Sequence, residues 1–158
     1  MFSIILAITL WLGKNDTVAI PLHQEGGLSY VELNVNGESG MFLIDTGCTT
    51  NVINSNHRKR KKYHFKIWND HRNSKMTGIG GSKSLLRVGP IETHSLTGEF
   101  LAVSFWGADL TSLNSTIKDV DIVGIIGQPF FENYHASIDF DTHTLNLRYE
   151  PDTAIAAK

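Results

Sequence analysis

The chain has 158 residues, of which 41% are hydrophobic and 19% charged, with 14 glycines and one cysteine. This length fits one domain and allows a hydrophobic core to form without disulfide or metal cross-links. Collagen-like, disordered and disulfide-scaffold proteins are excluded by composition, and an enzyme with two full lobes in one chain is excluded by length. The net charge of −2 at pH 7 is not the overall polycation that typically binds nucleic acid, so no nucleic-acid partner is expected.

The chain opens on an apolar run from Phe2 to Leu12 that only Ser3 and Thr9 interrupt. This run is shorter than the about 20 apolar residues needed to span a bilayer, but its length matches the core of a signal peptide. It lacks a basic segment before it and a clear cleavage site after it. Two interpretations stay open: a secretory or membrane-tethering segment, or the first strand or helix of the fold. The compartment is correspondingly open, being secreted, periplasmic or membrane-tethered in the first case and cytoplasmic in the second.

The first half of the chain after Thr17 predicts three strands. Hydrophobic and polar residues alternate in the first two, and the third has four apolar residues in a row, which predicts burial on both faces. The dipeptide Asn36-Gly37 is a strong signal for a hairpin between the second and third strands. The predicted strands are Val18–Leu22, Tyr30–Val35 and Met41–Ile44. The third ends at Asp45-Thr46-Gly47.

The second half predicts further strands and one short helix. Residues 57–75 are polar, basic and aperiodic, which predicts a loop with room for a short helix. A flexible glycine-rich tip at 77–82 follows between two short arms, and Pro129 suits the first turn of a helix through Glu132. The remaining predicted strands are Ile91–Leu96, Phe100–Phe105, Ile122–Gly127, Ala136–Phe140 and Thr144–Leu147. These elements predict one mainly β domain.

Asp45 is the first candidate for chemistry. It directly follows a buried strand, so its carboxyl group leaves the core beside the small residues Thr46 and Gly47. Gly47 has no side chain, which lets a substrate or another backbone approach closely. The alternative interpretation is an Asx turn, in which Asp is common at the end of a strand. The tripeptide alone is therefore a moderate signal.

Four pieces of the sequence, in this order, resemble the retropepsin-like aspartic proteases, the single-lobe relatives of pepsin that act as homodimers. They are Phe42–Thr50, Thr77–Ser82, Val123–Gln128 and Ala136–Leu147. The resemblance covers about Thr17 to Tyr149 and implies an all-β, single-lobe, closed acid-protease fold with one short helix near the C-terminal third. The implied domain covers residues 15–150, between the apolar segment 1–14 and a tail at 151–158.

The resemblance also implies an activity and the residues that carry it. Two carboxylates about 3 Å apart cannot both ionise, so in aspartic proteases they share a proton and act as base and acid. Here Asp45 would be the catalytic residue of each copy, acting on a peptide or protein substrate without metal or cofactor. The resemblance assigns Thr46, Gly47, Ile126 and Gly127 to support of the catalytic loop. It assigns Thr77, Gly78, Ile79, Gly80 and Gly81 to a flap over the substrate.

Three features leave alternatives open. Cys48 stands where the family usually has Ala or Ser; we interpret it as a packing residue, and a Cys–His thiol protease lacks a local signature. The basic segment 57–75 is interpreted as a solvated insertion, with a docking surface for acidic partners or anionic lipid as the alternative. Finally, the chain as a whole has a second candidate function: a catalytically silent dimerisation or protein-binding module that keeps the fold.

Metal and modification signals are weaker. His57, His64 and His71 recur every seven residues, and on a helix they would be about 10 Å apart, too far to share one zinc ion. We interpret them as exposed loop histidines. Asn15-Asp16-Thr17 and Asn114-Ser115-Thr116 fit the N-glycosylation pattern, which applies only in a eukaryotic secretory pathway.

Overall fold

The computed structural model describes residues 16–57, 60–68, 75–78, 81–117 and 119–149. The apolar run Phe2–Leu12, the hairpin tip Ile79-Gly80 and the tail at 151–158 lie outside these residues, so the predictions made for them stay predictions. Within the described ranges, no helix is long and apolar enough to cross a membrane.

Most regular structure in the described residues is β, which confirms the all-β prediction. The strands are β1 (Asp16–Glu25), β2 (Leu28–Val35), β3 (Glu38–Ile44), β4 (Val52–Asn54), β5 (Ile67–Trp68), β6 (Lys75–Gly78), β7 (Gly81–Ser84), β8 (Leu86–Val88), β9 (Thr93–His94), β10 (Phe100–Leu101), β11 (Trp106–Ala108), β12 (Ile122–Ile126), β13 (Ser137–Asp139) and β14 (Thr144–Tyr149). The helices are a 3₁₀ turn at Arg60–Tyr63, α1 (Thr111–Thr116) and α2 (Gln128–Asn133).

The hairpin between β2 and β3 forms at the predicted turn. Asn36 and Gly37 both have positive φ, at 50° and 90°, which matches the twist that a two-residue hairpin turn requires. Val35 then pairs with Glu38, and the ladder continues to Tyr30 opposite Leu43. This pairing carries β3 through the middle of the main sheet, where its last residue meets the candidate catalytic loop.

The position of that loop depends on one parallel pairing. β3 and β12 lie side by side in the same direction, with Ile44 opposite Ile126, so the chain leaves both strands at the same edge of the sheet. β4 pairs antiparallel to β12 on its other side. The order in the main sheet is β13-β14-β1-β2-β3-β12-β4-β11-β8-β5, with β9 on β2 and β10 on β9, while β6 and β7 form a separate hairpin.

β12 is buried on both faces, as its continuous apolar run predicts. Val123 and Ile126 belong to the larger core cluster, which lies with α2, β1 and β14. Ile122 and Ile125 belong to the second cluster, which contains Tyr30, Leu43, Cys48 and Val52. Burial against both clusters fixes β12 in place and with it one side of the loop that follows β3.

Several parts of the predicted element pattern are wrong. The short strands β4, β5 and β11 were not predicted. The second helix, α1, was also missed, because Leu113 is the one apolar residue among its six and a single residue gives no apolar periodicity; α1 is stabilised locally where Thr111 N donates to Asp109 Oδ1 at 2.8 Å. The strand pair predicted over 91–105 shrinks to the two-residue β9 and β10, since β9 takes its second partner from β2 rather than extending along β10.

Candidate active site

Asp45 lies on a tight loop directly after β3. Its backbone N–H donates to the carbonyl of Ile126 at 3.0 Å, and its carbonyl accepts from the N–H of Cys48 at 3.0 Å. The carboxylate Oδ1 accepts from the N–H of Gly47 at 3.0 Å, so the Asx turn expected at a strand end is present. The turn fixes the direction of the carboxylate and leaves its second oxygen for other contacts.

The segment after β12 packs against this loop. Gln128 N–H donates to the carbonyl of Cys48 at 2.8 Å. A Cβ at Gly127 would lie 2.5 Å from the carbonyl oxygen of Cys48 and still closer to that of Thr50. Glycine is therefore required at 127, because the two segments approach more closely than any side chain permits. The structure thus brings Ile126 and Gly127 next to Asp45, Thr46 and Gly47.

Asn51 ties the same elements together and was not found from the sequence. Its side chain is buried, and its Oδ1 accepts from the N–H of Gly127 at 2.9 Å. Its Nδ2 donates to the carbonyl of Ser104 at 3.3 Å, and its own carbonyl accepts from Trp106 N at 2.9 Å. The only signal in the sequence is a polar residue just before the apolar pair of β4, and such residues are common in loops.

Asp45, Thr46 and Gly47 are exposed in the single chain, whereas their neighbours Leu43 and Cys48 are buried. A carboxylate on a rigid, exposed loop can meet a group from another molecule.

The hairpin of β6 and β7 lies next to this loop. Gly78 pairs with Gly81, so Ile79 and Gly80 separate the two arms, and Thr77 is in the ladder opposite Ser82. The sulfur of Met76 on β6 lies 3.7 Å from the sulfur of Cys48. The structure therefore places the arms of the predicted flap beside the Asp45 loop.

The Cys48 thiol is buried. Its Sγ donates to the carbonyl of Thr50 at 3.1 Å. Burial raises the pKa of this thiol, the hydrogen bond with Thr50 opposes that rise, and the charge of Asp45 adds to it. A thiol with a raised pKa is a poor nucleophile, so the Cys48 environment disfavours the thiol-protease alternative.

A cavity of about 460 Å³ lies at the opposite end of β12 from Asp45. Its lining includes His57, which was predicted to be exposed; this prediction is wrong, because the residue is 5% exposed and its Nε2 lies 2.8 Å from Asp121 Oδ1. The carboxylate that pairs with the His57 ring is 64 positions away in sequence, so a local sequence pattern could not predict this contact. His64 is exposed as predicted, and His71 lies outside the described residues. In the described part of the chain, no group of three or more His, Cys, Asp or Glu could hold a metal ion.

The side chain of Asn114, the asparagine of one predicted glycosylation pattern, has a structural role. Asn114 Nδ2 donates to the carbonyl of Ile122 at 3.0 Å, and its Oδ1 accepts from the N–H of Ile122 at 2.9 Å. The side chain therefore bridges α1 to the first residue of β12 and is not presented to solvent as a free amide. The other pattern, at Asn15, lies outside the described residues.

The family profile of aspartyl proteases matches residues 31–130, which is more than half of the chain. The chain belongs to the aspartyl protease family. The match includes most of β2 together with β3, the Asp45 loop, the β6–β7 hairpin and β12, and it confirms the resemblance predicted from the motifs.

Three solved structures that are similar to this family member are remote from it in sequence. The EIAV protease complexed with the inhibitor HBY-793 is 20% identical, with a TM-score of 0.46 and coverage of 80% of this chain and 93% of the other. A retropepsin-like aspartic protease from Rickettsia conorii is 19% identical, with a TM-score of 0.47 and coverage of 85% and 91%. The retroviral protease-like domain of Ddi1 from Leishmania major is 13% identical, with a TM-score of 0.47 and coverage of 87% and 99%. No curated protein matches the chain significantly.

Proposed function

We propose that this aspartyl protease family member is an aspartic endopeptidase that acts as a homodimer, with Asp45 of each copy forming the catalytic pair. The observation that carries the proposal is the exposed Asp45 carboxylate on a loop that β12 and Asn51 hold rigidly from behind. These 158 residues contain one Asp-Thr-Gly, so in the proposed assembly a second copy provides the second carboxylate of the same kind. A two-fold axis next to Asp45 would supply it, since an isologous interface places a residue beside its own copy.

Peptide hydrolysis needs a base that activates water and an acid that protonates the leaving nitrogen. Two Asp45 carboxylates about 3 Å apart would share one proton, so that one acts as base while the other acts as acid. The ionised carboxylate takes a proton from water as the water oxygen attacks the scissile carbonyl, and the protonated one gives its proton to the amide nitrogen as the C–N bond breaks. The pKa values of such a site belong to the pair rather than to either residue.

The loop supplies the rigidity that this chemistry requires. A catalytic group is effective when the surrounding structure holds it in place before the substrate binds. In this chain, Asp45 is held through its N–H by Ile126, its carboxylate is oriented by Gly47, and Gly127 lets the neighbouring segment pack without a gap. These contacts support the assignment of Gly47, Ile126 and Gly127 to the loop rather than to substrate binding, and Thr46, between Asp45 and Gly47, is assigned with them.

We propose that the β6–β7 hairpin is the flap, with Thr77, Gly78, Ile79, Gly80 and Gly81 at its tip. A two-stranded hairpin outside the main sheet has outer edges to which an extended peptide could add as a strand. Closure of such a hairpin also excludes water from the reacting groups. The substrate class is therefore an extended segment of a peptide or protein.

The test is cleavage of a peptide library by wild type, Asp45→Asn and the matched control Asp141→Asn, which removes an exposed carboxylate from the turn before β14. Asp45→Asn should lower kcat/KM by at least about 1,000-fold with an unchanged circular dichroism spectrum, because it removes the acid–base group and little volume. The control should cleave like wild type. Equal cleavage by Asp45→Asn and wild type would contradict the mechanism. A folded wild-type dimer without cleavage at any pH would favour the silent binding module.

A further inference from the structure

Cys48 connects the catalytic loop to three different parts of the structure. Its N–H donates to Asp45, its carbonyl accepts from Gln128 at the start of α2, and its sulfur contacts Met76 of the hairpin at 3.7 Å. It also lies in the second core cluster with Leu43 on β3. A shift of Cys48 would therefore change the position of the hairpin as well as that of the Asp45 loop.

The hairpin is anchored to the rest of the molecule at its base and through Met76. Leu85, directly after β7, is buried in the second core cluster, and Met76 on the opposite arm packs against the same cluster. Met76 pairs with Lys83 across the hairpin, so a contact at Met76 sets the height of both arms. Beyond Met76 on the tip side, Ser82 is exposed.

We propose that Cys48 is a positioning residue that holds the β6–β7 hairpin against the Asp45 loop through its sulfur contact with Met76. The contact joins two polarizable sulfurs and acts through dispersion, because the single hydrogen of the thiol is donated to the carbonyl of Thr50. Such a contact favours the seated hairpin without locking it, so the hairpin can lift for a substrate and return. For its effect on catalysis the proposal rests on the proposed function, whereas the contact itself can be tested without any activity.

The two sulfurs can be removed separately. Cys48→Ala deletes the thiol and leaves the Asp45 backbone contacts in place. Cys48→Ser keeps a donor for the Thr50 carbonyl but replaces sulfur with a smaller, less polarizable oxygen. Met76→Ala deletes the partner. Met41→Ala is the matched control, because Met41 packs against the same core cluster from β3 and not from the hairpin.

The first measurement is native-state hydrogen exchange at the amides of Met76 and Lys83, with Ile125 on β12 as an internal reference. Cys48→Ala and Met76→Ala should each speed exchange in the hairpin about two- to ten-fold with little change at Ile125, and the double variant should be no faster than the faster single one. Cys48→Ser should fall between wild type and Cys48→Ala, and Met41→Ala should leave hairpin exchange unchanged. Multiplicative single effects, or equally faster exchange at Ile125, would overturn the proposal.

The second measurement is steady-state cleavage. Loss of the contact should raise KM about two- to ten-fold and leave kcat within about two-fold, because the hairpin closes less readily while the Asp45 pair stays intact. A fall in kcat with an unchanged KM would contradict a positioning role. If wild type cleaves no peptide, the proposed function fails, and the exchange measurements still decide whether Cys48 holds the hairpin.

Discussion

Tyr30 and Tyr63 are both buried but differ in how their hydroxyl groups are satisfied. Tyr63 donates to the carbonyl of Ser39 at 3.1 Å. Tyr30 has no hydrogen-bond partner for its hydroxyl within the described chain. Burial raises the pKa of both side chains, so both are neutral at physiological pH. Comparing the two tyrosines therefore measures how much an unpaired buried hydroxyl changes the free energy of unfolding.

We predict that Tyr30→Phe leaves the free energy of unfolding unchanged or slightly higher, because a buried hydroxyl without a partner costs desolvation and returns nothing. Tyr63→Phe should lower it by about 1 kcal/mol, since it leaves a carbonyl without its donor. Urea unfolding followed by fluorescence measures both. A loss at Tyr30 as large as the loss at Tyr63 would show that the Tyr30 hydroxyl has a partner in solution.

The carboxylate of Asp109 makes the free energy of unfolding depend on pH, with a larger contribution at neutral than at acidic pH. Hydrogen bonds from the Thr111 hydroxyl and the Thr111 backbone hold the pKa of its carboxyl below the usual value for Asp. A lowered pKa in the folded state stabilises the protein above the unfolded-state pKa of about 3.9, and this contribution is lost as the pH falls through the folded value.

We therefore predict that Asp109→Asn is less stable than wild type at neutral pH and that the difference shrinks below about pH 4. Thermal unfolding between pH 7 and pH 2.5 measures the difference, with Asp141→Asn as a control on an exposed turn. A difference that grows toward low pH would have the wrong sign for a carboxylate stabilised in its charged form.

At the scale of elements, the site depends on how closely β12 and the Asp45 loop approach each other. Gly127 is the point of closest approach, where a Cβ would lie 2.5 Å from the carbonyl oxygen of Cys48. Gly89, which is also buried, offers a matched comparison, because a Cβ there would meet its nearest neighbour on Lys66 at an ordinary 3.5 Å.

We predict that Gly127→Ala lowers the free energy of unfolding by about 1–3 kcal/mol, because the added methyl must push the two backbones apart. The shift at the loop should also reduce kcat/KM. Gly89→Ala should change the free energy of unfolding by less than about 0.5 kcal/mol. Chemical unfolding and peptide cleavage measure the two effects. Full activity in a stable Gly127→Ala variant would show that the loop tolerates displacement.

At the scale of the whole molecule, the proposed site is half present in one chain. If two copies each provide Asp45, activity per chain should rise with concentration as dimers form, because only the dimer holds both carboxylates. Dilution assays alongside sedimentation should give the same midpoint. A strict monomer at high concentration would contradict the two-carboxylate mechanism.

We further predict that adding excess Asp45→Asn chains lowers wild-type activity more than dilution does, because mixed dimers keep only one of the two aspartates. Excess Asp141→Asn chains serve as the control and should not inhibit. Activity that is indifferent to Asp45→Asn chains in a mixture shown to exchange subunits would place both catalytic groups within one chain.

Local patterns were sufficient for much of the fold. Alternation identified β2, the Asn36-Gly37 dipeptide identified its hairpin, and continuous apolar runs identified β3 and β12. The prediction failed for short elements, because α1 and the two-residue strands β9 and β10 have too few residues to show a helical or strand periodicity of apolar side chains. Their existence depends on partners elsewhere in the chain, such as the Ile122 backbone that Asn114 bridges to α1.

The sequence by itself determined the family, the succession of the main strands along the chain and the candidate aspartate. These features reside in contiguous residues, which a local pattern or motif can record. Tertiary structure alone decided three contacts: the hydrogen bond from Gly127 N–H to Asn51, the pairing of His57 with Asp121, and the sulfur–sulfur contact between Met76 and Cys48. Each of these contacts joins residues far apart in sequence, and its energy arises only when parallel pairing and burial bring them within a few ångströms.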